Sequence, residues 1–211
     1  TTGIVNPMSE AALVETIRLD IRVHAQEDVS LLAVAPGNYG ERFLKEETGL
    51  SMENFIKCSN FIGTSFKMLS QEGIHQALLA GHVGKLVKVA GGVMNTHSRY
   101  GDRRSACART VGFPEADALL PMNTTEEAAD FLYEHGYLKQ VMEQVANQVK
   151  AVLEEESGVQ TEVMLFSNNY GLMARTAGAD AYVRELLEME RGMEVMIDRR
   201  IINYEKLRFE Y

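Results

Sequence analysis

Apolar residues follow two different spacings along this chain, and the two alternate. Residues 10–25 place Ile17 and Ile21 on one helical face, and Ser9 can cap that helix. The next stretch, "VSLLAVA" at 29–35, is continuously apolar. A short run of this kind is typical of a strand buried on both faces.

Three further apolar runs of similar length recur, and polar turns bound each of them. Helical spacing returns after each of the first three runs, which indicates alternating strands and helices. The predicted strands are 29–35, 54–59, 76–80 and 162–167, and the helices that follow the first three are 41–47, 64–73 and 86–90.

A purely helical stretch separates the third strand from the fourth. Thr124 and Glu127 form a capping box before a helix that ends at residue 134, and a longer helix is predicted over 138–156. A last helix over 180–191 precedes an irregular tail that reaches residue 211.

This order of elements predicts an α/β fold with three layers, α/β/α, around a mostly parallel sheet. We expect residues 1–211 to form a single domain of this class. Each strand ends in a short stretch rich in Gly, Asn or Ser, namely "PGNYG", "SNFIG", "GHVGK" and "SNNYG". Any one of them can be explained as a turn, but their recurrence predicts a shared ligand crevice at the carboxyl ends of the strands.

The composition is that of an ordinary globular chain. Its 211 residues are 45% hydrophobic, which is enough for a sizeable core. No apolar run approaches the roughly 20 residues that span a bilayer, and the first residues lack a secretory signal. The two cysteines, Cys58 and Cys107, are too few for a disulfide framework. We therefore expect a cytoplasmic protein.

The charge is unevenly distributed. A net charge of −9 argues against nucleic acid or a membrane surface as the partner. Residues 84–110, however, carry six cations and one carboxylate, a local charge of +5. This basic segment favours a small polyanionic ligand, although a solvated loop paired with acidic neighbours is the more common explanation of charge runs in general. The cations are Lys85, Lys88, Arg99, Arg103, Arg104 and Arg109.

The stretch "GHVGK" places backbone amides and Lys85 at the start of a helix, an arrangement that favours an anion. It is not a P-loop, because Leu79 stands where that motif needs glycine and Leu86 where it needs Ser or Thr. The glycine spacing does not fit a dinucleotide fingerprint either. A nucleotide triphosphatase is therefore a weak candidate.

Metal and nucleophile chemistry have little support. His82, His97 and Cys58 lie near predicted strand ends, but no short-spaced ligand pair is present, so we expect no protein-bound metal. There is no GxSxG stretch, and Cys58 has no base partner visible in the sequence.

Four stretches, in order, resemble signature stretches of the CbiD family, the cobalt-precorrin-5B C-1-methyltransferases of anaerobic cobalamin biosynthesis. They are "TTGIVNPMSEAAL", "APGNYG", "KCSNFIG" and "GHVGKLVKVAGGVMNTHSR", and "SNNYG" fits a later strand end. Family members carry an additional N-terminal domain, so we expect this chain to correspond to the C-terminal domain of a longer enzyme. The stretch "YGDRRSACARTVGFP" departs from the family pattern, which puts roles for Arg103 and Arg104 in doubt.

The resemblance implies methyl transfer from S-adenosylmethionine to carbon 1 of cobalt-precorrin-5B, giving cobalt-precorrin-6A. The substrate is a tetrapyrrole ringed with carboxylates, which suits the basic segment. His82 and His97 are the candidates for orienting it or handling its proton, with ordinary loop hydrogen bonding as the alternative. The expected substrate contacts are Gly84, Lys85, Lys88, Asn95, Thr96, Ser98 and Arg99.

The donor is expected in the strand-end loops, with its sulfonium against an aromatic face or loop carbonyls. A non-catalytic tetrapyrrole-binding domain, whose chemistry needs the missing N-terminal part, is the main alternative, and a phosphometabolite enzyme is a third. The sequence is also compatible with a homo-oligomer. The expected donor contacts are Thr2, Gly3, Gly37, Asn38, Tyr39, Asn60, Gly63, Asn168 and Tyr170.

Overall fold

A five-stranded sheet forms the centre of the computed structural model, in the order β2-β1-β3-β4-β5. The first four strands of that order are parallel, and β5 runs antiparallel to β4. The structure describes residues 8–27, 29–51, 53–100, 109, 116–119 and 121–192. The strands are β1 (Leu31–Ala35), β2 (Phe55–Lys57), β3 (Gln76–His82), β4 (Gln160–Ser167) and β5 (Gly171–Arg175).

Helices cover both faces of the sheet, which confirms the predicted α/β/α layers. Helices α1, α3, α4, α5 and α6 pack on one face, and α2 and α7 pack on the other. The helices are α1 (Glu10–Gln26), α2 (Asn38–Thr48), α3 (Ile62–Gln71), α4 (Val83–Ala90), α5 (Thr125–Glu134), α6 (Leu138–Ser157) and α7 (179–192).

Local sequence signals account for several helix ends. The Ser9 hydroxyl accepts a hydrogen bond from the Ala12 amide, and the Thr124 hydroxyl accepts one from the Glu127 amide, so both predicted N-caps are confirmed. Helix α6 ends at Gly158, which adopts the left-handed conformation that glycine allows.

Three expectations about the elements were wrong in detail. Helix α2 begins at Asn38 rather than at residue 41, and α4 begins at Val83 rather than at 86. Much of the "PGNYG" and "GHVGK" stretches is therefore the first turn of a helix rather than a loop. The stretch after "SNNY" forms strand β5, which the sequence pattern did not assign, because only Ala174 in it is fully buried.

The strand order brings the carboxyl ends of β2, β1, β3 and β4 side by side, as predicted. Helix α2 leaves β1 on one face and α4 leaves β3 on the other, which is the arrangement in which open α/β sheets bind ligands at the strand ends. Gly40 allows α2 to pack closely there, since a Cβ at that position would lie 2.5 Å from the Ala80 carbonyl oxygen.

Among the described residues, no helix is both long and apolar enough to cross a membrane. Helix α7 agrees with the helix expected over 180–191, while the predicted tail beyond residue 192 lies outside the described residues. The expectation of a single domain stays a prediction.

Candidate functional site

Lys85 lies in the first turn of α4, beside the carboxyl end of β1. Its ammonium donates a hydrogen bond of 2.8 Å to the side-chain oxygen of Asn60. A Cβ built on Gly37 would lie 3.9 Å from the Lys85 nitrogen, so this cation faces the β1 turn. No carboxylate in the described part of the chain lies within 4 Å of it. Burial is the main cause that lowers the pKa of Lys85.

Asn60 joins three segments at this edge. Its side-chain oxygen accepts from Lys85 and, at 3.4 Å, from the Thr96 hydroxyl, while its backbone oxygen accepts from the Thr96 amide at 2.9 Å. The Lys88 ammonium donates to the Thr96 carbonyl at 3.3 Å. The segment after α4 is thereby fixed against the β2 end, which brings four predicted site residues together.

The backbone around this cluster is unusual at two positions. Gly37 has φ of 93°, which glycine tolerates, and Ser59 has φ of 53°, the left-handed region that non-glycine residues rarely adopt. Both residues line a cleft of about 330 Å³ that also contacts Asn38, Lys57 and part of α1. Strained backbone of this kind is common at functional sites.

His82 caps α4 and has both ring nitrogens engaged. Its Nδ1 accepts from the Gly84 amide at 3.1 Å. Nε2 therefore carries the proton, and it lies 3.1 Å from a Glu126 carboxylate oxygen. This geometry gives His82 a positioning role in the present arrangement, because neither nitrogen is free to act as a base.

Glu126 is the principal residue that sequence reasoning missed. Its carboxylate, in the first turn of α5, accepts from His82, from the Ser167 hydroxyl at 3.0 Å and from the Asn168 amide at 3.2 Å. It therefore ties the ends of β3 and β4 to α5. No local sequence signal indicates this role, because acidic residues are common at helix starts, where they stabilise the helix itself.

The structure places the predicted donor contacts in different parts of the molecule. Tyr39 is 57% exposed, and its ring centroid lies 6.5 Å from that of His82. Tyr170 instead packs near α5 and donates to Asp130 at 2.6 Å, which raises the Tyr170 pKa to about 12. Gly63 faces Met94, whose side chain would collide with a Cβ there. Thr2 and Gly3 lie outside the described residues.

The predicted substrate contacts differ in their exposure and in the residues that they contact. The space beside Gly84 is filled by His82 and by Thr125 of α5. His97 is exposed, and its Nδ1 accepts from the Arg99 amide at 3.2 Å, while Nε2 has no hydrogen-bond partner among the described residues. The Asn95 side chain accepts from the His97 amide, and Ser98 is exposed in the following turn.

The cations of the basic segment have different kinds of partner. Arg99 forms an ion pair with Glu10 at 3.0 Å, and Arg109 pairs with Asp117. Arg103 and Arg104 lie outside the described residues. Lys85 and Lys88, which bond to uncharged oxygens, are the cations of this segment that the structure places at the strand ends.

Within the described ranges, no group of three or more His, Cys, Asp or Glu side chains is placed to hold a metal ion. Cys58 is fully buried, and burial raises its pKa to about 12. Such a thiol is a poor nucleophile at neutral pH.

A second cleft, of about 620 Å³, lies along α2. It shares Asn38 and Lys57 with the cleft at Gly37, so the two spaces adjoin. The cations of α2 that line it, Arg42 and Lys45, were not among the predicted site residues.

Comparisons with known proteins agree with the resemblance seen in the sequence. The family model described as "CbiD, C-terminal domain" matches residues 95–177. A protein of Ruminiclostridium cellulolyticum named cobalt-precorrin-5B C(1)-methyltransferase is 36% identical over 91% of this chain and 54% of its own length. Proteins with the same name from Listeria monocytogenes and Clostridioides difficile are 32% and 31% identical, over 88% and 87% of this chain and 52% and 47% of their own lengths. The chain thus spans about half the length of these curated relatives, and no solved structure matches it.

Proposed function

Because the chain belongs to the CbiD family, we propose that it takes part in the S-adenosylmethionine-dependent methylation of carbon 1 of cobalt-precorrin-5B, giving cobalt-precorrin-6A, in cobalamin biosynthesis. The relatives carry the name of this activity over a length about twice that of the present chain, so the activity is proposed for the protein of which this chain forms part.

One observation carries the proposal at the level of the site, namely the environment of Lys85. A half-buried ammonium with an amide oxygen as its partner retains most of its charge for an external anion. The proposed substrate is a macrocycle with peripheral carboxylates, and we assign one of them to Lys85. Lys88 and the Thr96 segment fix the wall beside it.

The residues present are compatible with a donor at the end of β1. Gly37 has no side chain, and among the described residues an atom added there would meet only the Lys85 nitrogen within 4 Å. Asn38 and the side-chain amide of Asn60 would hold the polar groups of the donor, and backbone carbonyls of the strand-end turns suit its cation. S-adenosylmethionine supplies an electrophilic methyl group on sulfur.

Displacement at such a methyl group by a ring carbon requires alignment and exclusion of water more than a strong base. The arrangement of the histidines suits this requirement. His82 positions the first turn of α4, while His97 is exposed, and we assign its Nε2 to orienting the substrate or accepting its proton.

The alternative is a non-catalytic tetrapyrrole-binding domain that needs the rest of the protein for chemistry. The engagement of both His82 nitrogens favours it, because the described site then contains few groups free to act on a substrate. A phosphometabolite enzyme has the Lys85 region in its favour but no further support. Cytoplasmic location, the absence of a protein-bound metal and the oligomeric state stay predictions.

Calorimetric titration with S-adenosylhomocysteine, the product of the donor, distinguishes the methyltransferase proposal from the tetrapyrrole-binding alternative. The methyltransferase proposal predicts saturable one-to-one binding by this chain, with the full-length R. cellulolyticum relative as the reference. Binding by the relative alone would favour the tetrapyrrole-docking role for this chain. Binding by neither protein would contradict the donor assignment.

A further inference from the structure

The exposed side of α2 carries a stripe of polar residues that borders the 620 Å³ cleft. Asn38, Arg42 and Lys45 recur at helical spacing and therefore lie on one face. Lys57 approaches the same cleft from the end of β2. In a chain of net charge −9, this places three cations around one concave surface.

The carboxylates near these cations neutralise them only in part. Glu41 is the one acidic residue among those lining the cleft, and it pairs with Lys57 at 2.7 Å. Arg42 lies 3.8 Å from Glu46, and both side chains are more than half exposed, so this pair is weak. Among the described residues, no carboxylate lies within 4 Å of the Lys45 ammonium.

An aromatic ring also lines the cleft. The Tyr39 ring is exposed, and the Arg42 guanidinium lies 5.5 Å from its centroid and 5.1 Å from that of Phe43. The Phe43 ring in turn stacks on buried Phe166 at 5.0 Å, which anchors the base of this arrangement. An aromatic face bordered by cations suits a planar ring system with acidic substituents.

This surface continues into the site at the strand ends. Asn38 and Lys57 line both clefts, and Gly37, which lines the inner one, faces Lys85. A large ligand held at Lys85 would therefore extend along α2.

We propose that Arg42, Lys45 and Lys57 form a second carboxylate-binding surface, which holds the peripheral carboxylates of the tetrapyrrole while the ring lies against Tyr39. This inference rests on the proposed function and deepens it. It assigns substrate selection to α2, so the number of carboxylates on the ring determines affinity.

The test measures binding of two porphyrins by fluorescence titration at low salt: uroporphyrin, and coproporphyrin, which carries fewer carboxylates on the same ring. The double variant R42A/K45A should bind uroporphyrin about tenfold more weakly than the unaltered chain. It should also discriminate less between the two porphyrins. At about 0.5 M salt the difference should shrink, because exposed charges are then screened.

A matched control removes the same net charge elsewhere. Lys67 and Arg175 are about half exposed and paired with Glu156 and Asp180, so K67A/R175A should change uroporphyrin binding less than about twofold. All four side chains are exposed, and circular dichroism checks that both double variants fold.

The outcomes separate this inference from the proposed function. If R42A/K45A binds uroporphyrin like the unaltered chain while Lys85→Met does not, the α2 surface is overturned and the site at Lys85 remains. If the unaltered chain binds neither porphyrin, the α2 surface and the site at Lys85 both fail, whereas the activity proposed for the longer protein is tested separately by the donor titration. Equal weakening in R42A/K45A and K67A/R175A would also overturn the inference, since net charge alone would then explain the effect.

Discussion

Lys85 and Lys150 are two partly buried lysines beside the same sheet, but their ammonium groups have different kinds of partner. The Lys150 ammonium lies 2.5 Å from a carboxylate oxygen of Glu162 on β4 and 3.8 Å from Glu154. Lys85, at the strand carboxyl ends, has the amide oxygen of Asn60 in place of a carboxylate. Lys150 thus belongs to an internally neutralised structural pair, whereas no carboxylate in the described part of the chain neutralises Lys85.

The electrostatics of the two sites follow from these partners. The hydrogen bond to Glu162 raises the pKa of Lys150, and burial lowers that of Lys85. Burial opposes ionisation of Glu162, but hydrogen bonds from Lys150 and the Thr176 hydroxyl prevail and lower its pKa. The Glu162 contribution to stability is therefore present at neutral pH and is lost only as the pH falls through this lowered pKa.

The largest effect is expected at the structural pair. Lys150→Met leaves the Glu162 carboxylate, whose side chain is 8% exposed, without its cation. The free energy of unfolding should fall by about 2–3 kcal/mol, below the range for fully buried pairs because Lys150 reaches solvent. Urea denaturation measures this, with Lys139→Met, at an 87% exposed lysine, as the control. Porphyrin affinity should not change. A loss of affinity without a loss of stability would assign Lys150 to ligand binding rather than to a structural pair.

Asn60→Asp converts the surroundings of Lys85 into those of Lys150. The new carboxylate would neutralise Lys85 and repel ligand carboxylates, so uroporphyrin affinity should fall about thirtyfold, or ~2 kcal/mol, while stability is retained. Asn147→Asp on α6 provides a control with the same change of charge at an exposed position. Unaltered affinity in Asn60→Asp would mean that ligand carboxylates do not reach Lys85.

Lys85→Met removes the cation without adding a charge. Uroporphyrin affinity at low salt should fall about tenfold, and the difference should decrease with added salt. The free energy of unfolding should change by less than about 0.5 kcal/mol, because the lost hydrogen bond to Asn60 is offset by relief from burying an ammonium. Titration and denaturation of the same sample provide both numbers. A large loss of stability would place Lys85 in the same structural class as Lys150.

Glu126 tests whether the region around His82 is structural. Glu126→Ala should lower the free energy of unfolding by about 1 kcal/mol, since three donors lose a partly exposed acceptor. Nitrogen NMR of the His82 ring should show Nε2–H in the unaltered chain and in Glu126→Gln, and a shifted Nε2 signal in Glu126→Ala, where that N–H loses its acceptor while the Gly84 amide still holds Nδ1. Glu134→Ala, on the same helix, is the control. An unaltered His82 spectrum in Glu126→Ala would exclude this positioning role.

The fold was largely predictable because its signals are local. Continuous apolar runs and N-cap residues such as Ser9 and Thr124 depend on neighbours in the sequence, and they located four strands and most helices. Strand β5 was missed because its outer residues are only partly buried at the sheet edge. The crevice at the strand ends followed from the parallel order of the strands.

The site was predictable only as a set of loops. The pairing of Lys85 with Asn60 and of His82 with Glu126 joins residues 25 and 44 positions apart, and no periodicity encodes such contacts. The same limit applies to the basic segment. Its sequence does not reveal that Arg99 and Arg109 are paired with carboxylates while Lys85 bonds to the amide oxygen of Asn60.

Titration of the lysine side chains by NMR shows whether Lys85 keeps its charge for a ligand carboxylate. Lys85→Met and Lys150→Met assign the two signals. In the free chain Lys85 should titrate at lower pH than an ordinary lysine, and Lys150 at higher pH. Bound uroporphyrin should raise the pKa of Lys85 and leave that of Lys150 unchanged. A Lys85 signal that titrates like an ordinary lysine and does not respond to the porphyrin would contradict the account.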